Sequence, residues 1–133
     1  ILSKMNIKFD NRRKFHRINL DGQVSLDFMN DNFDNGQIKN LSLTGMFVSG
    51  NFQQQQTEDC LINYSHKTKH NEINLHASAK VVWNNDEGIA FEFISMKLDS
   101  YMSLVTTLIH EADDPSTILQ ELPKNYPFEI TGK

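Results

Sequence analysis

The longest regular alternation in the chain runs over residues 72–83. Ile73, Leu75, Ala77, Ala79, Val81 and Trp83 hold every odd position, while Asn74, His76, Ser78 and Lys80 hold even ones, with Val82 the exception. A period of two puts the apolar set on one face of a strand, whereas a helix would scatter it around its axis. The same pattern recurs in Val24, Leu26 and Phe28, set against Ser25, Asp27 and Met29, and again in Ile89, Phe91 and Phe93. Shorter strands are predicted at 37–39, 46–49 and 60–65. Turn formers separate them: Asp21-Gly22, the run 30–36, and Asn84-Asn85-Asp86-Glu87-Gly88, which makes 72–83 and the last strand a hairpin. Residues 50–59, with four successive glutamines, predict an exposed loop, and 66–71 a polar turn.

After Met96 the period changes. Leu98, Tyr101, Met102, Val105, Leu108, Ile109 and Ala112 follow helical spacing, with Asp99 or Ser100 as the expected N-cap. Asp114-Pro115 starts a second, short helix that ends before Pro123. Residues 124–133 predict an irregular tail, and 1–11 a lead-in arm without a core-sized pattern. About six half-apolar antiparallel strands followed by one helix predict a small barrel or sandwich. The helix can then plug an open end and bury its apolar stripe there.

Composition narrows the class. The 133 residues fit one domain, and 38% hydrophobic with 23% charged residues is a folded rather than a disordered profile. No apolar run is long enough to cross a bilayer, which predicts no membrane insertion, and residues 1–4 carry no signal-peptide pattern. An isoleucine in first place is what a clipped chain would show. Cys60 is the single cysteine, which excludes an intramolecular disulfide and a thiolate metal cluster; the simplest compartment is the cytosol. His66, His70, His76 and His110 have no metal-ligand spacing. No nucleophile–base pairing, glycine-rich phosphate loop or acid pair supports an enzyme.

Charge is distributed unevenly. The formal net charge is −4, yet Arg12, Arg13, Lys14 and Arg17 stand within six residues, leaving −8 for the remainder. A cationic knot on an acidic body predicts a local anion site, not a broad nucleic-acid face.

Two motifs give that site a family context. Arg13-x-x-x-Arg17, preceded by Arg12, resembles the arginine motif of PilZ domains, and Asn40-x-Ser42-x-x-Gly45 resembles their Asp/Asn-x-Ser-x-x-Gly motif. Val81-Val82-Trp83 and the stretch 88–93 are similar to the closing hairpin of that family. The resemblance covers roughly residues 10–112. It implies a mainly β fold, a six-stranded antiparallel β-barrel with a C-terminal α-helix, and a receptor for cyclic di-GMP in the bacterial cytosol. The implied divisions are a flexible arm at 1–11, the PilZ-like barrel plus helix at 12–112, and a short helix and tail at 113–133.

The residue chemistry suits that ligand. Guanidinium is planar, permanently charged and offers paired donors to phosphate oxygens; the same fork fits guanine O6 and N7. The resemblance assigns Arg13 and Arg17 to direct contact, and Arg12 to a position that accompanies a self-intercalated ligand pair. Asn40 offers an amide oxygen to guanine N1–H and N2–H₂. Ser42 can donate to a phosphate, and Gly45 permits close approach and a positive φ. Trp83 offers a flat face to a guanine, although its place in the alternation also puts it, like Met102, with the core. His16 is left as a spacer. The expected role is a non-enzymatic receptor without cofactor, relaying the signal to a partner protein as the arginine segment orders. The alternative is a PilZ-like interaction adaptor that binds no nucleotide. A single-stranded nucleic-acid barrel would need exposed aromatics interleaved with cations, which this chain lacks.

Overall fold

The structure is a computed structural model and describes residues 15–67, 72–122 and 127–132. The strands are β1 (Ile18–Asn19), β2 (Gln23–Phe28), β3 (Asn32–Leu41), β4 (Gly45–Ser49), β5 (Asp59–Lys67), β6 (Glu72–Asn84) and β7 (Gly88–Lys97). Helix α1 (Leu98–Glu111), helix α2 (Pro115–Glu121) and β8 (Glu129–Thr131) follow. Strands β3, β2, β5, β6, β7 and β4 are neighbours in that order, and β3 pairs β4 to close a six-stranded antiparallel barrel. Strand β3 closes it because it serves two partners. Its first half pairs β2 through Gln37, and its second half pairs β4 from Gln37 to Leu41. Beyond β2, the short β1 takes the vacated edge, with Ile18 opposite Leu41 and Asn19 opposite Asn40.

The alternations fill the barrel as expected. Val24, Leu26 and Phe28 from β2, Ile73, Leu75, Ala79 and Val81 from β6, and Ile89, Phe91 and Phe93 from β7 are buried. Tyr64 is fully buried as well, and its hydroxyl donates to the Asp21 carbonyl at 2.8 Å.

Four expectations change. Strand β3 starts at Asn32, inside the predicted turn 30–36, because Phe33 packs edge-on against Phe28 and Phe52. The glutamine loop is exposed over most of its length, as expected, except at two residues. Phe52 and Gln54 are buried, and Gln54 donates to Asp31 while its carbonyl accepts from Asn84. The helix has Lys97 as its N-cap, without a side-chain cap; Ser100 turns inward instead. Part of the predicted tail forms β8, which pairs in parallel with β7 at Ser95–Lys97.

The inward serine explains how α1 docks. Strand β6 pairs β7 only from Ala77 onward, so the first part of β6 lacks a strand on that side. There the Asn74 and His76 amides donate to the Ser103 and Ser100 hydroxyls, at 3.0 and 3.1 Å. The helix covers an open edge with hydroxyl acceptors and buries Tyr101, Leu104 and Leu108. Helix α2 is capped as its sequence predicts, with Pro115 at its start and the Asp114 carboxylate accepting from the Ser116 amide at 3.0 Å. Among the described residues no helix is long and apolar enough to cross a membrane.

Candidate functional site

Two irregularities in the ladder build one patch on the outer surface. Within β3, Ile38 faces Val48 but Asn40 faces Phe47, so two steps on β3 match one on β4. Within β6, Val81 faces Phe91 but Trp83 faces Ala90, again two steps against one. Regular alternation would send Asn40 inward with Ile38, and Trp83 inward with Val81. Each bulge shifts the phase and re-aims the next side chain outward. Phe47 and Ala90 themselves pair across β4 and β7. The result is a continuous cross-strand row, Asn19–Asn40–Phe47–Ala90–Trp83, over five strands.

Trp83 is accordingly 48% exposed, and its ring lies 5.4 Å from that of Phe47. Its expected place with the core is corrected, as is that of Met102, 56% exposed on α1. Phe47 and Ala90 floor a shallow pocket of about 280 Å³ whose walls are Arg17, Lys39, Asn40, Trp83, Asn85 and Glu87. The Lys39 ammonium stands 5.8 Å from the centre of the Phe47 ring, within cation–π range. Asn85 shapes the hairpin tip beside it by accepting from the Glu87 and Gly88 amides.

Arg17 immediately precedes β1. Its guanidinium Nη1 donates to Asn40 Oδ1 at 2.7 Å, so one residue of each sequence motif meets the other directly. The residue is exposed, but neighbouring atoms displace enough water to lower the guanidinium pKa; an arginine stays charged at any physiological pH. Arg12 and Arg13 lie outside the described residues.

Ser42 and Gly45 are placed differently from the sequence expectation. Ser42 is 1% exposed, and its hydroxyl accepts from the Thr44 and Gly45 amides, both at 3.2 Å. It organises the turn into β4. Gly45 does serve close approach, but to protein: a Cβ there would lie 2.1 Å from the Phe91 carbonyl oxygen. Its φ is not positive; among the described glycines that conformation falls at Gly22, Gly50 and Gly132.

Sequence reasoning missed Lys39, Phe47 and Glu87, because none belongs to either motif and the bulges that align them leave no mark in the alternation. It also missed a tether. The His16 backbone amide donates to Glu121 Oε2 at 2.7 Å, across 105 positions of sequence.

Two of the larger cavities, of about 590 and 580 Å³, lie elsewhere on the barrel. The first touches Lys39 and so adjoins the arginine pocket; the second is lined by Asp27, Asp59 and apolar side chains, without a cation. Neither brings an arginine together with an aromatic face. Among the described residues no three His, Cys, Asp or Glu side chains could together hold a metal ion.

Comparison with known proteins agrees with the fold. The model of the PilZ domain matches residues 11–110. No curated protein matches the chain. Among solved structures, the Bacillus subtilis inhibitor of motility MotI/DgrA superposes with a TM-score of 0.62 at 15% identity, over 74% of this chain and 50% of that one. This chain therefore spans about half the length of that protein. The PilZ domain of CeSA from a cellulose-synthesizing bacterium superposes with a TM-score of 0.54 at 15% identity, over 71% of this chain and 96% of that one.

Proposed function

This chain belongs to the PilZ family, whose members are generally non-enzymatic receptors of cyclic di-GMP or adaptors, and we propose that it is one of the nucleotide-binding receptors. The observation that carries this reading is the 2.7 Å contact between Arg17 and Asn40 beside Trp83. Adaptors that bind no nucleotide have no need of a guanidinium, an amide and an exposed indole converging on one patch. Arg17 gives a forked donor to phosphate or to guanine O6 and N7. Asn40 holds that fork and offers its remaining hydrogen-bonding capacity to the guanine edge. Trp83 and Phe47 supply a face on which a purine stacks. At about 280 Å³ the pocket is small beside typical ligand sites, so it takes one planar group while the rest of the ligand lies over the surface.

Arg12 and Arg13 complete the clamp from the segment before Phe15, with Arg13 on phosphate and Arg12 setting whether one ligand or an intercalated pair binds. Ser42 and Gly45 act through the fold, by holding the turn that carries Asn40 toward β4. Ligand binding orders the arginine segment, and a partner protein reads that change as a shift in population. Charge-assisted contacts of about 1.5–3 kcal/mol each make a micromolar affinity, about 8 kcal/mol, reachable with three or four of them plus stacking.

Calorimetry with cyclic di-GMP, GMP and cyclic di-AMP tests the reading. Saturable heat with cyclic di-GMP alone, markedly weakened in Arg13→Ala and in Arg17→Ala, is the expected result. No saturable heat with the wild type returns the chain to the adaptor class.

A further inference from the structure

We propose that Glu121, at the end of α2, is a positioning residue for the ligand site: it clasps the arginine segment and sets its path, although it touches no ligand. The inference rests on the receptor reading above. Segment 16–19 is held at two points. At one end the His16 amide donates to Glu121 Oε2 at 2.7 Å; at the other, Ile18 and Asn19 pair with Leu41 and Asn40 of β3. Arg17 is the residue between these two points, and its guanidinium meets Asn40. Fixing both flanks confines the backbone from which that side chain reaches the pocket.

The clasp is itself firmly anchored. Ile118, one turn before Glu121, is fully buried, and Leu122 packs partly buried against the core. Phe15 also packs partly buried against the core, so the segment is seated next to the carboxylate and does not pass it through solvent. The other carboxylate oxygen, Oε1, is buried with no hydrogen-bond partner among the described residues. A carboxylate whose surroundings desolvate it is placed at a cost that its bond to the segment offsets. Burial pushes its pKa up, against the lowering effect of the His16 bond.

Because the clasp fixes Arg17 in advance, less ordering remains for the ligand to impose, and affinity gains accordingly. Glu121→Ala should weaken cyclic di-GMP binding by roughly three- to tenfold, the effect of one lost hydrogen bond. Glu121→Gln keeps an acceptor oxygen and should stay within about twofold of the wild type. Asp114→Ala, which weakens the same helix at its other end without touching the segment, should also leave affinity within about twofold. The experiment is calorimetry on these three variants and the wild type, with hydrogen exchange of the His16 amide measured on each by NMR. Loss of His16 protection together with weaker binding in Glu121→Ala alone supports the clasp. Unchanged or tighter binding in Glu121→Ala, or an equal loss in Asp114→Ala, overturns it. If the wild type gives no saturable heat, the receptor reading fails and the affinity claim falls with it; His16 exchange still reports whether the tie exists.

Discussion

Each motif residue earned its position for a different physical reason, and substitutions should separate them. Asn40 and Arg17 are bonded to each other at the surface, whereas Ser42 is buried and bonded to the turn. Ser42→Ala leaves the Thr44 and Gly45 amides without that acceptor, at about 1–3 kcal/mol. It should lower the melting temperature while folded protein keeps its affinity for cyclic di-GMP. A large affinity loss without destabilisation would mean that Ser42 does reach the ligand. Trp83 allows a second check, because it is the chain's single tryptophan. Its intrinsic emission should change saturably with cyclic di-GMP and stay flat with GMP at equal concentration. An unchanged spectrum while calorimetry records binding would place the ligand elsewhere.

Elements decide how far such reasoning could go from sequence. The period-two runs of β2, β6 and β7 predicted the buried set closely, since burial on one face of a strand is written directly into alternation. The two bulges were not legible. A bulge is a mismatch between neighbouring strands, so the sequence of one strand cannot reveal it, and alternation alone groups Trp83 with Val81. The tie from His16 to Glu121, 105 positions apart, is hidden in the same way, since it depends on where two distant segments come to lie. Glycine at 45 was visible, but its reason was not: β4 and β7 approach too closely there for a side chain. Gly45→Ala should cost about 2–3 kcal/mol of stability through overpacking, read as a lower denaturation midpoint. An unaltered midpoint would show that the strands can separate freely, contrary to the packing described.

At the scale of the whole molecule, the interior of the barrel is insulated from water. Burial pushes the Cys60 thiol and the Tyr64 hydroxyl up to about 12 each. Both groups are thus held neutral in the folded state, while in the unfolded chain they ionise from ordinary values of 9.0 and 10.0. Their contribution to stability is fully present at neutral pH and is lost as pH climbs from about 9 toward 12. Thermal melts across that range should show a falling midpoint, less steep in Tyr64→Phe. A flat profile would contradict the insulation.

The central claim is that the arginine segment and the Asn40 turn form one clamp. Its most direct test is cyclic di-GMP affinity across a cycle of wild type, Arg17→Ala, Asn40→Ala and the double variant. Because the two side chains are bonded to each other, the double variant should bind hardly worse than either single one, a coupling of about 1–3 kcal/mol. Strictly additive losses, or a wild type that does not bind at all, would contradict it.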